Sequence, residues 1–121
     1  MKHSLLVILL ISLSGCGQAR PALAGGKWAA ALRDPDAQVR RKAAFTLGNI
    51  GPSDPAGLPA LLGALSDADA GVRGAAILAL VKFGAAAREA VPTLTRLQKQ
   101  DPDARVRGYA ARALEKLRAA N

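Results

Sequence analysis

Few residues in this chain could do chemistry, and their types restrict what that chemistry can be. There is one thiol, Cys16, and one imidazole, His3. A single thiol closes no intramolecular disulfide, and one Cys with one His builds no Cys/His metal cluster. Glu89 and Glu115 stand singly, without the partner that general acid–base work requires. No Gly-rich phosphate loop and no nucleophile elbow occurs. The expectation is a chain that is not an enzyme and needs no cofactor or metal. The most regular charged feature is an Asp six residues before an Arg: Asp34 with Arg40, Asp67 with Arg73, Asp101 with Arg107. The arginines could form a phosphate-binding stripe. The favoured alternative is structural, with each Arg reaching back to an inter-helix Asp in its own or the adjacent unit.

These pairs recur because the sequence repeats. Val39, Val72 and Val106 mark one position, 33 and 34 residues apart, and each is followed by an Arg. Ala43, Ala76 and Ala110 match, as do Leu47, Leu80 and Leu114, and Ile50, Phe83 and Leu117. Counted from the Val, these fall at +4, +8 and +11, one stripe of an α-helix. Asp36, Asp69 and Asp103 stand where a carboxylate can accept the free N–H groups of a helix start. Gly51 and Gly84 stand where a left-handed helix stop belongs.

A shorter helix precedes each of these. Leu58, Leu61, Leu62 and Leu65 form one apolar stripe, and Val91, Leu94 and Leu97 another. Asp54-Pro55 reads as an N-cap followed by Pro, and Pro59 and Pro92 are expected to bend these helices. The first unit has only a poor version, Lys27 to Leu32, with Trp28 in the place of Leu61 and Leu94 as a cap. Ala and Leu dominate, aromatics make up 3%, and strand-favouring residues are scarce. The expected fold is all-α, about three helical hairpins stacked so that each shelters the next, the first degenerate.

The motif D-x-D-x-x-V-R-x-x-A-A-x-x-L-G, seen from Asp34 through Gly48, resembles HEAT repeats of the short type named after phycobilisome lyases. The second unit departs from it at Val81 and the third at Glu115. The resemblance implies an α-α superhelix whose second helices line a concave face. Some proteins with this type of repeat attach bilins or hydroxylate lysine. The hydroxylases need His-Glu metal pairs, which this chain lacks.

Offsets +2, +6 and +9 lie off the core stripe. They predict an apolar strip of Phe45, Leu78 and Val81 on the concave face, with Arg41 and Arg112 at its ends. The competing expectation is that these side chains pack between repeats or under the N-terminal tail. The net charge of +8 suits either a basic soluble surface or an anionic partner, through Arg41, Lys42, Lys82, Arg105, Arg112 and Lys116.

The N-terminus reads as an address. Lys2 precedes Leu5–Leu13, an apolar run broken only by Ser12 and too short for a bilayer span of about 20 residues. It ends in Leu13-Ser14-Gly15-Cys16, which resembles the lipobox of bacterial lipoproteins. By that resemblance Cys16 receives a diacylglyceryl group and becomes the first mature residue. The lack of Asp at Gly17 leans toward the outer membrane. Two other readings stay open: cleavage after Ala22-Leu23-Ala24 to release a soluble chain, and a chance cysteine. The expected organisation is a signal peptide over 1–15, a tether over 16–26 and a repeat domain over 27–118, in units of about 27–51, 52–84 and 85–118. The expected role is a scaffold in the cell envelope, membrane-anchored through lipid at Cys16, with a protein partner on the concave face and no nucleic acid. The alternatives are an electrostatic binder of anionic envelope polymers or lipid headgroups, and a lyase-like or chaperone role.

Overall fold

A computed structural model describes residues 24–120. Cys16, the apolar run and most of the expected tether lie outside the described residues. Six α-helices follow one another: α1 Ala24–Ala31, α2 Ala37–Ile50, α3 Gly57–Ala64, α4 Ala70–Val81, α5 Val91–Gln100 and α6 Ala104–Ala119. Short 3₁₀ segments, Gly51–Ser53 and Gly84–Ala90, lead into α3 and α5. The helices pair as α1–α2, α3–α4 and α5–α6, an all-α stack of three hairpins. Helix α1 begins at Ala24, so 24–26 are helical rather than tether.

The repeated stripe is the core. Leu47, Val72, Ala76, Leu80, Ala110 and Leu114 are all buried, and so are Phe83 and Leu117 at the last position of the stripe. Leu61, Leu65 and Leu94 close the core from the first helices. Trp28 lies half-buried against the same cluster, with the Lys27 ammonium 5.4 Å from its ring centroid. Val39 differs from its counterparts. It is 37% exposed where Val72 is 0% and Val106 1%. Among the described residues no hairpin precedes α1 to cover it, so the end of the stack leaves its apolar position open to water.

The D-x-D motif starts each second helix by two linked bonds. The first Asp of each motif accepts the N–H of the second: Asp34 from Asp36 at 2.8 Å, Asp67 from Asp69 at 2.9 Å and Asp101 from Asp103 at 2.9 Å. The second Asp then caps the helix. Asp36 accepts from Gln38 N–H at 2.9 Å, Asp69 from Val72 N–H at 3.0 Å, and Asp103 from Arg105 N–H at 2.7 Å. Each cap satisfies a backbone donor that has no partner within the helix.

The first helices start differently from expectation. Asp54 does not cap α3. It forms a turn in which its carboxylate accepts Ala56 N–H at 3.0 Å, while α3 starts after Ala56 with no side-chain cap. Pro59 and Pro92 do not bend their helices. They sit in the first turns of α3 and α5, where the missing N–H has no helical acceptor to lose. Gly51 and Gly84 both take positive φ, 74° and 59°. At Gly51 ψ is −160°, outside the left-handed helix region and open only to Gly at so positive a φ.

Second helices pack on one another in a row, α2 on α4 and α4 on α6, while first helices pack mainly on second helices and on the 3₁₀ segments. Close approach in that row depends on small residues. A Cβ on Gly48 would lie 2.8 Å from both Cα and Cβ of Ala79. A groove runs along the outward faces of α2, α4 and α6.

Candidate functional site

Helix α2 sends Phe45 into the groove, α4 sends Leu78 and Val81, and α6 sends Tyr109. The groove has a volume of about 1030 Å³. Phe45 and Leu78 are 61% and 50% exposed, and with Val39 they are the exposed large hydrophobics of the described residues. Helical geometry explains their place, since offset +6 is turned away from the +4 and +8 core positions. Arg41 and Arg112, expected at the ends of the strip, also line the groove.

Tyr109 is a floor residue that the strip did not include. Its ring lies against Gly74, where a Cβ would come within 3.2 Å of two ring carbons. The signal in the sequence was indirect: Gly at +2 of one unit makes room for an aromatic at +3 of the next.

The rim is basic. Arg41, Lys42, Lys82, Arg105, Arg112 and Lys116 line the groove, against one carboxylate, Asp103. That carboxylate is turned to backbone, capping α6 through Arg105 and Val106 N–H groups. Arg105 stands 3.5 Å from its other oxygen in an exposed pair. Lys82 donates to Asn49 Oδ1 at 2.7 Å and holds its ammonium 5.2 Å from the Phe45 ring centroid. Arg41 donates to Gln38 Oε1. Neither acceptor carries charge, so these contacts do not neutralise Lys82 or Arg41, and cations outnumber carboxylates in the lining.

The Asp/Arg pairs lie away from this groove, and of the two expected arrangements the carboxylate link is made to the adjacent unit. Arg40 does not pair with the carboxylate six residues before it. Its Nε donates to Asp67 Oδ2 at 2.8 Å and its Nη2 to Asp67 Oδ1 at 3.0 Å, in the next hairpin. Arg73 makes the same fork to Asp101, at 2.8 and 2.9 Å. The Asp six residues earlier contributes its backbone carbonyl: Asp34 O accepts Arg40 Nη1 at 2.8 Å, Asp67 O accepts Arg73 Nη1 at 2.8 Å, and Asp101 O accepts Arg107 Nη1 at 2.7 Å. Burial pushes the Asp67 and Asp101 carboxyls up. The arginine forks, the backbone N–H groups and the nearby positive charge outweigh it and hold both below the usual carboxylate range. Arg40 and Arg73 are consumed in joining hairpins, and Arg107 donates to a carbonyl within its own, so the three do not form a phosphate stripe.

The lining of the groove contains no His and no Cys. Among the described residues, no group of three or more His, Cys, Asp or Glu is placed to hold a metal ion. No helix among them is long and apolar enough to cross a membrane.

A family model described as HEAT repeats matches residues 27–115. A HEAT repeat-containing taxis protein of Halobacterium salinarum is 47% identical over 66 residues, which cover 54% of this chain and 15% of that protein. The matched stretch is thus a small part of that relative's length.

Proposed function

Since the chain belongs to the HEAT-repeat family, whose stacked hairpins commonly mediate protein–protein interaction, we propose that it is a non-catalytic interaction scaffold. It holds a protein partner in the groove of α2, α4 and α6. The observation that carries this reading is the convergence of Phe45 and Leu78 on one groove, each at least half exposed. Leaving such half-exposed side chains in water forgoes about 1–2 kcal/mol of burial apiece, which a partner recovers on docking. The groove's lining, with one carboxylate already used as a helix cap, supplies no acid–base pair.

The finer reading adds a tether. Lipid at Cys16 holds the scaffold at a membrane of the cell envelope, which raises its local concentration near membrane partners. The support is the sequence alone, the apolar run ending in Ser14-Gly15-Cys16.

The test is crosslinking and pull-down from membranes with wild type, Cys16→Ala, and the double variant Phe45→Asp with Leu78→Asp. The scaffold reading expects the double variant to lose its partner with helical content unchanged. Undiminished capture would reject this face. A Cys16→Ala protein as membrane-bound as wild type would remove the anchor. The basic rim supports a second reading, an electrostatic binder of anionic envelope polymers or headgroups. That complex should weaken steeply with salt and tolerate the Asp substitutions poorly only through their charge, so Phe45→Ala with Leu78→Ala would leave it intact.

A further inference from the structure

The groove's chemistry says more about its occupant than that it is a protein. The floor is apolar from side to side: the faces of Phe45 and Tyr109 with Leu78 and Val81 between them. An extended peptide laid on it would set its backbone N–H and C=O groups over carbon, with no ladder of acceptors and donors to meet them. Buried unpaired backbone groups are costly. A helix satisfies its own backbone and can present a continuous apolar row to such a floor. The floor crosses three packed helices, roughly 20 Å at ordinary interaxial distances, a span that about 13 helical residues cover.

The rim supplies the second constraint. Its cations come from all three helices, with Arg41 and Lys42 on α2, Lys82 at the end of α4, and Arg112 and Lys116 on α6. The one lining carboxylate, Asp103, has Arg105 beside it and leaves the cations on α2 and α4 and the later ones on α6 in excess. A segment with lysines or arginines beside its apolar row would be repelled where it crosses these helices, and one with carboxylates there would be steered in and paired.

We propose that the groove of α2, α4 and α6 is the docking site for an acidic amphipathic helix of a partner protein, its apolar row on Phe45, Leu78, Val81 and Tyr109 and its carboxylates on the Arg41/Lys42 and Arg112/Lys116 rims. This rests on the scaffold reading above and specifies the partner's docking element. The helix lies across α2, α4 and α6 rather than along one of them, so all three hairpins contribute to one site.

The test uses the purified full chain in non-ionic detergent and labelled synthetic peptides of about 15 residues, followed by fluorescence anisotropy at several salt concentrations. One peptide carries leucines at helical spacing flanked by glutamates. The second replaces every glutamate by lysine. The third is the acidic peptide with two central residues changed to proline. The acidic helix should bind at least about tenfold more tightly than the lysine peptide, and lose that advantage as salt rises. The proline peptide should lose most of its affinity. Lys42→Glu, Arg112→Glu and Lys116→Glu together should invert the preference, and the fold of that variant is checked by circular dichroism. Leu78→Asp should abolish binding of both helical peptides.

Equal or tighter binding of the lysine peptide would overturn the inference, and so would a proline peptide that binds as well as its parent. Phosphatidylglycerol vesicles that displace the acidic peptide from wild type, and bind less once Phe45 and Leu78 are Ala, would replace it with a lipid surface. A membrane partner captured through Phe45 and Leu78 while no acidic helix binds would overturn this inference alone. Failure of both captures would take the scaffold reading with it.

Discussion

Arg73 and Asp101 face each other across the second and third hairpins, Nε to Oδ2 at 2.8 Å, with side chains 11% and 2% exposed. The pair is bidentate, and Asp101 also accepts the N–H of Asp103, which in turn caps α6. One carboxylate therefore ties the α3–α4 hairpin to the start of the last helix. Losing it strands a guanidinium that is largely buried, a situation that costs about 3–5 kcal/mol. In a stack where each hairpin is held only by its neighbours, that loss is local. Asp101→Ala should uncouple α5–α6 from the rest. The expected readout is a broadened or biphasic urea transition, with hydrogen exchange accelerated in α6 and little changed in α2. A single sharp transition at the wild-type midpoint would contradict the account.

Arg40 and Asp67 repeat the link at the first junction, 2.8 Å apart with side chains 16% and 12% exposed. The two aspartates share a pH signature. Their folded-state values lie below the ordinary 3.8. A depressed carboxylate contributes stability that is fully present above its unfolded value and is lost as pH falls through its folded value. Stability should be flat above about pH 5 and decline progressively below it. In Asp67→Asn combined with Asp101→Asn the acid decline should be shallower and the plateau lower. Chemical denaturation at several pH values between neutral and about 3 would measure both.

How these links form could not be read from spacing alone. The D-x-D motif was legible as a helix start because capping is local, and the second Asp of each motif does cap its helix. Which of its two expected partners each Arg takes, the Asp of its own unit or that of the adjacent one, was not legible. The sequence offers an Asp six residues away, but the guanidinium takes that residue's backbone carbonyl and saves its fork for a carboxylate in the next hairpin. The prolines and Asp54 were misread for a related reason. Helix boundaries shifted by a few residues turn a bend into a harmless first turn and a cap into a preceding turn. The outward positions at +6 were legible because helical period alone separates them from the core stripe. Tyr109 was not, since its place depends on the missing Cβ of Gly74 on another helix.

Val39 shows how position in the stack overrides a repeated motif. It shares its offset with Val72 and Val106 but is 37% exposed where they are 0% and 1%. Truncating a buried Val removes the equivalent of two methylenes and leaves a small cavity, about 2 kcal/mol. Val72→Ala and Val106→Ala should each cost about that much, and Val39→Ala less than about 1 kcal/mol. Equal losses at all three, measured by urea denaturation, would mean that Val39 is covered in solution.

Two glycines on the second helices should respond oppositely to the same change. A Cβ at Gly108 meets nothing within 4 Å, and the residue lies well inside α6. There Ala removes the flexibility penalty of Gly and should stabilise by up to about 1 kcal/mol. At Gly48 the same Cβ would lie 2.8 Å from the Ala79 backbone, which cannot rotate away. Helix α2 must move from α4, and the overpacking should cost about 1–3 kcal/mol, reduced by the gain in helix propensity. Ala79→Gly would relieve only the contact with Ala79 Cβ, so the double variant should recover part of the loss and not all of it. The consequence reaches the groove. Phe45, three residues before Gly48 on α2, would shift relative to Leu78, next to Ala79 on α4. Gly48→Ala should therefore weaken groove ligands although neither Gly48 nor its new methyl group faces them, while Gly108→Ala should leave them unaffected. Thermal denaturation gives the stability half of this contrast and peptide anisotropy the binding half. Weakened binding by Gly108→Ala alone would show that the spacing of α2 and α4 does not set the groove.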